Sequence, residues 1–146
     1  MGTWKLIEAL AFDKGGNAVP PPLGPEPMGV IVYGAERMMV AVCDGRSVMP
    51  QDVPDRVFSA YTGIYGLDGE KLTVRVDGAS SPDGFADQVR RIIFESPDRY
   101  VAVPLMPVLG RTAGLKLTWE RTSKASLDPA LCDAPSIAQA RGEGGS

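Results

Sequence analysis

Tight turns and long loops alternate along this chain, and that alternation leaves few ways to fold it. Short runs rich in β-branched and aromatic residues recur throughout, and no segment sustains a helical apolar period. We read eight strands, at about 3–12, 28–34, 37–43, 60–67, 70–77, 85–95, 98–106 and 114–122. The second, fourth and sixth connections are tight: Gly34-Ala35-Glu36-Arg37, Leu67-Asp68-Gly69-Glu70 and Ser96-Pro97-Asp98-Arg99. Asp68-Gly69 is a hairpin signal, because glycine accepts the positive φ that such turns require. The first, third, fifth and seventh connections, 13–27, 44–59, 78–84 and 107–113, are longer and rich in Pro or Gly. In an up-and-down meander, odd and even connections fall at opposite ends. The pattern is that of a cup with a tight base and an elaborated rim.

The expected fold is therefore all-β: a single eight-stranded antiparallel up-and-down β-barrel. Eight strands close around packed side chains or one small ligand, and closure removes the exposed edges of a long meander. An open sheet or a two-sheet sandwich is the alternative, since short strands with turn signals suit those too. A chain of 146 residues fits one domain with a real core. We place the barrel at 1–122 and a tail at 123–146, where the composition shifts to Ala, Ser, Gly and isolated charges. Asp128-Pro129 can open a short helical turn near 128–132, and the Gly-rich end is expected to be disordered.

Composition excludes several classes of function. A net charge of -3, with Arg90-Arg91 as the only adjacent basic pair, argues against a nucleic-acid surface. No basic region followed by an apolar stretch opens the chain, and the run Val101 to Leu109 is broken by Pro104 and Pro107. The expectation is a cytoplasmic protein without a membrane span, a monomer or homodimer. A Cys43–Cys132 disulfide is not expected in a reducing compartment. The chain has no histidine, which removes Ser-His-Asp and Cys-His mechanisms and makes a zinc site improbable. No metal or cofactor is expected.

Strand faces supply the candidate site. In the first strand Trp4, Leu6, Glu8, Leu10 and Phe12 share one face, an apolar wall interrupted by a carboxylate. Assigning the other strands by their bulky members points Ile31, Tyr33, Met38, Val40, Val42, Tyr61, Tyr65, Leu72, Val74, Val76, Val101, Val103 and Leu105 inward. In the sixth strand, 85–95, Ile92 and Phe94 facing inward carry Gln88 and Arg90 with them. The opposite parity, with Val89 and Ile93 inward, would bring Asp87 and Arg91 instead. A lumenal Glu8 and Arg90 would have to pair with each other or with a ligand, unless a bulge turns Glu8 outward. Five prolines within 20–27 make a stiff rim wall, and a turn at Asp52-Val53-Pro54 could lay Val57 or Phe58 across the mouth.

Both chain ends belong to the base. Trp4 opens the first strand, and Leu115, Leu117, Trp119 and Arg121 share one face of the last. Arg121 can therefore approach the Trp4 ring and plug the base through a cation–π contact. The opening Gly-Thr-Trp-Lys-Leu and the closing Trp-Glu-Arg resemble the lipocalin pattern. Several stretches resemble the bacterial lipocalin-like domain family: Pro20-Pro21-Pro22-Leu23-Gly24-Pro25, Gly29-Val30-Ile31-Val32-Tyr33, Arg37-Met38-Met39-Val40, Tyr61-Thr62-Gly63-Ile64-Tyr65 and Asp87-Gln88-Val89-Arg90-Arg91. The resemblance covers roughly residues 2–122 and rests on the order of these motifs. It implies a small barrel with an apolar cavity. It also leaves room for an enzyme, since some lipocalin-like barrels act as cofactor-free cyclases or isomerases.

Two functions follow. The first is binding of a small hydrophobic molecule, lined by Leu6, Leu10, Ile31, Tyr33, Met38, Val40, Tyr61, Tyr65, Val74, Gln88, Arg90, Val103 and Trp119, with Trp4 and Arg121 sealing the base. The second is a cofactor-free cyclase, isomerase or lyase acting on a small apolar or polyketide-like substrate. There Glu8 and Arg90 would be catalytic, with a tyrosine as hydrogen-bond donor.

Overall fold

A computed structural model describes residues 2–53, 55–82, 86–105 and 114–123. Nine strands lie in one antiparallel sheet: β1 (Gly2–Phe12), β2 (Ala18–Val19), β3 (Pro27–Tyr33), β4 (Arg37–Asp44), β5 (Phe58–Asp68), β6 (Lys71–Ala79), β7 (Gln88–Ser96), β8 (Arg99–Pro104) and β9 (Leu115–Ser123). β1, β3 and each later strand pair with the next, and β9 returns to β1, from Thr3 opposite Ser123 to Ala11 opposite Leu115. That last pairing closes an eight-stranded barrel and excludes the open sheet and the sandwich. β2 is an addition that the sequence pattern does not reveal. It covers the rim end of β1 through Ala11–Val19 and Phe12–Ala18, where β3 no longer reaches. No α-helix occurs among the described residues, and no helix is long and apolar enough to cross a membrane. The expected helical turn near 128–132 and residue 54 lie outside the described residues, as do 124–146 as a whole.

The turns sort by end as the alternation requires. At the base, Gly34 N–H donates to Arg37 O at 2.8 Å, and Gly69 turns with φ of 59°. At the rim, Asp13 Oδ1 accepts from the N–H groups of Gly15 and Asn17, each at 2.9 Å, which fixes the β1–β2 loop. Both are local side-chain or glycine solutions to reversing the chain.

One bulge corrects the inward face of β1. Leu6 pairs with Trp119 but Glu8 with Thr118, so Ile7 is an extra residue and the alternation changes phase there. Trp4 and Leu6 point inward before it; Ala9 and Ala11 do so after it. Glu8 and Leu10 consequently face outward, Leu10 at 41% exposure. A second correction concerns β8. Tyr100 and Ala102 are the buried residues, so Val101, Val103 and Leu105 belong to the outer surface. Val57 packs against the core, whereas Phe58 opens β5 on the solvent side.

Inside, β1, β4, β6, β7 and β9 contribute Trp4, Leu6, Met38, Val40, Val74, Ile92, Leu117 and Trp119 to one core. Gly29 makes room for this packing. A Cβ there would sit 2.8 Å from Val42 Cγ1 and 3.1 Å from the Trp119 ring. The rim end is filled from the loop as well as from β9, whose Leu115 and Leu117 are buried there. Leu23 is fully buried, thrust into the mouth by a turn in which Gly24 N–H donates to Pro21 O at 3.0 Å. Gly24 rests on Asp44 at a φ of 73°, and any Cβ would overlap that carboxylate. The Arg46 guanidinium grips Asp44 with two bonds of 3.0 and 2.6 Å and holds its carboxyl below the usual range. Arg56 ties the same corner by donating to Asp44 O and Arg46 O.

Candidate ligand-binding site

The lumen holds a cavity of about 50 Å³, walled mainly by Ile31, Met38, Val40, Ile92, Leu117 and Trp119, with Tyr33, Ser59, Tyr61, Tyr100 and Arg90 as its polar members. β7 delivers the cation. It enters the barrel at Gln88, and the inward residues Gln88, Arg90 and Ile92 follow in order, the parity expected from Ile92 and the bulk of Phe94, although Phe94 itself is 53% exposed at the base. Arg90 Nη2 donates to Gln88 Oε1 at 2.8 Å and Nη1 to Val89 O at 3.1 Å; Gln88 Nε2 in turn donates to Ala86 O at 3.1 Å. Arg90 is 7% exposed, and no carboxylate among the described residues pairs with it. Neutral oxygens satisfy part of a buried guanidinium, but they do not neutralise it.

Three tyrosines face this cation. The hydroxyls of Tyr33 and Tyr100 are 2.9 Å apart in one hydrogen bond across the barrel. Burial pushes the Tyr33 phenol up to about 12 and Tyr100 well above its ordinary value. Burial raises Tyr61 as well, and the nearby Arg90 charge works against that rise. All three remain neutral hydroxyls at neutral pH; one of the Tyr33–Tyr100 pair donates to the other, which leaves that pair one proton, and Tyr61 its own, for an oxygen beside Arg90. The site is apolar in bulk, cationic at one point, and surrounded by weakly acidic donors.

The residues singled out from the sequence divide into groups. Ile31, Tyr33, Met38, Val40, Tyr61, Arg90 and Trp119 line the cavity, and Gln88 braces Arg90 from the rim side. Leu6 and Val74 are buried in the wall behind it. Tyr65 lies at the base, its hydroxyl donating to Gly34 O at 2.6 Å. Glu8, Leu10 and Val103 lie on an outer groove with Arg99 and Lys116 and take no part in the lumen. Tyr100 is the largest of the lining residues the sequence reading missed, with Ser59 and Ala102 beside it. Its signal was the alternation Tyr100-Ala102-Pro104, which the bulkier Val101-Val103-Leu105 register outweighed.

The base is closed by aromatic rings. The Arg121 guanidinium stands 4.5 Å from the Trp4 ring centre, and its Nε lies 2.9 Å from Asp98 Oδ1. Trp4 meets Tyr100 edge-on at 4.8 Å and Phe94 at 6.4 Å. These contacts fix the closed end against which the lumen is built.

Comparison with known proteins adds little to this picture. No protein-family model matches the chain, and no curated protein matches it. A solved structure described as a redesigned beta barrel is similar over 83% of this chain and 90% of its own, at 11% identity and a TM-score of 0.43. The β9–β1 pairing closes the barrel, and a barrel of this kind is compatible with holding a small hydrophobic molecule.

Proposed function

We propose that this protein is a lipocalin-like binding module for a small hydrophobic molecule with one acidic or carbonyl end. Arg90 takes the oxygen-bearing end, Gln88 orients the guanidinium, and Tyr61 or the Tyr33–Tyr100 pair donates a further hydrogen bond. Ile31, Met38, Val40 and Trp119 receive the apolar remainder. The observation that carries this reading is the buried Arg90, which faces an apolar cavity with no carboxylate beside it among the described residues. Burying a charge is costly unless something compensates it, and a ligand anion would do so. The cyclase reading needed an acid–base carboxylate in the lumen. With Glu8 outside, the cavity wall has none among the described residues.

The cavity sets the size of the guest. About 50 Å³ accommodates a carboxylate and a short chain; anything longer must turn the flexible Met38 side chain of the lining or press beyond it toward Leu23 in the core. Calorimetric titration with butanoate, pentanoate and hexanoate, each beside the matching alcohol, tests this. The acids should bind at least about tenfold more tightly than the alcohols, and early methylenes should each add about fourfold. Equal affinity of acid and alcohol, or no dependence on chain length, would overturn the proposal.

A further inference from the structure

The outer surface of the barrel is apolar over one continuous area, where β3, β4 and β5 lie side by side. The register puts Met28 level with Cys43 and Phe58, Val30 with Ala41 and Ala60, and Val32 with Met39 and Thr62. All of these point away from the lumen, and no charge falls among the three rows. The outer faces of β6, β7 and β9 carry Lys71 and Arg75, Arg91 and Glu95, and Lys116 and Glu120 instead. Ile64 continues the patch toward the base beside Arg37. Lys5 on β1, Arg75 on β6 and the Arg37–Asp77 ion pair mark its border. An apolar centre inside a polar rim is the anatomy of a protein–protein interface.

Area and relief both match a second copy of the chain. The large side chains range from Val32 at 44% exposure to Met39 and Phe58 at 59%. With the smaller ones between them they present on the order of 700 Å², close to the roughly 800 Å² that each partner contributes to a standard-size complex. The relief is self-complementary. Ala41 and Ala60 sit side by side as a shallow trough, and Met39 and Phe58 stand above it on opposite sides. A lipid surface takes protruding side chains and gains nothing from a trough, whereas a matching protein surface fills it. Each of the three strands is paired on both sides, so no free edge is on offer and association goes face to face.

We propose that this face is the interface of a homodimer, in which a twofold axis crosses the strands between the Met39 and Ala41 rows. Each Met39 then seats on the partner's Ala41, each Thr62 on the partner's Ala60, and each Phe58 meets the partner's Ile64. The contact lies outside the barrel wall and is independent of Arg90 and the lumenal cavity.

Sedimentation equilibrium of the full chain should show a dimer with a Kd of about 10 µM or tighter. Met39→Lys puts a charge at the centre of the contact and should weaken it about thirtyfold or more, with the far-UV circular dichroism of the barrel unchanged. Leu10→Lys, in the outer groove away from this face, should leave the dimer intact. In a mixture of labelled and unlabelled chains, isotope-filtered NMR should bring the Met39 methyl of one copy against the Ala41 methyl of the other. A monomer at all micromolar concentrations, a dimer indifferent to Met39→Lys, or a dimer lacking the Met39–Ala41 contact would overturn the proposal. So would a monomer that binds phosphatidylglycerol vesicles through Met39, or a chain that dimerises only once residues 124–146 are removed, which would make the tail the occupant of this face.

Discussion

Arg90→Met should make the ligand-free protein more stable, not less. A guanidinium buried without a counter-charge carries a desolvation penalty of several kcal/mol, and methionine fills similar volume with none. Gln88 loses its partner, which offsets about 1 kcal/mol, since its position at the start of β7 lets it turn toward the rim. The net expectation is a gain of about 1–3 kcal/mol. For a chain of this length that is a rise of roughly 3–12 °C in the thermal midpoint. Acid binding should fall at the same time to the level of the matching alcohol. Differential scanning calorimetry and titration of one preparation read both effects. If Arg90 were a structural group, stability would fall instead, and no other outcome separates the two roles as cleanly.

Leu23→Ala should move stability the other way while enlarging the site. Leu23 is, among the described residues, the one fully buried aliphatic side chain that comes from a loop, and its removal leaves a hole in the core beneath that loop. Leucine-to-alanine changes in cores cost about 2–5 kcal/mol, and the lower half applies here because a loop relaxes more readily than a strand. Gly24 limits that relaxation. It is pinned on Asp44, which Arg46 and Arg56 hold in turn. Urea unfolding should therefore show a loss of about 2–3 kcal/mol. The chain-length series should change shape too: the affinity plateau of the wild type should shift by one or two methylenes toward longer acids. A loss under about 0.5 kcal/mol with the plateau unmoved would place Leu23 outside the binding space.

What the amino-acid sequence disclosed, and what it did not, follows from the same physics. The barrel was legible because turn lengths alternate, and turn chemistry is local: Asp68-Gly69 and Pro97-Asp98 act without help from distant residues. Arg90 was legible because Ile92 and Phe94 share its phase in β7, although Phe94, whose bulk favoured that phase, ends half exposed at the base. The β1 bulge was not legible, since Leu6, Ile7, Ala9, Leu10 and Ala11 are all apolar and either phase leaves a greasy face. The inward choice fell to the two alanines, where Leu23, Leu115 and Leu117 already occupy the rim end. β8 misled for a related reason. Its largest branched residues, Val101 and Val103, line an outer groove, so bulk was a poor guide to direction. Leu23 was hidden among prolines that read as a wall. A lone leucine within five prolines was the clue, but only the tertiary contact reveals what it plugs.

The guanidinium of Arg90 can be watched directly. In nitrogen-15 NMR of the wild-type protein, its Nε–H resonance should shift and sharpen as pentanoate is added, saturate with the calorimetric affinity, and be untouched by pentanol. Exposed arginines such as Arg75 and Arg91 should stay where they are. A titration in which Arg90 remains still while a surface arginine follows the acid would contradict the account at its centre.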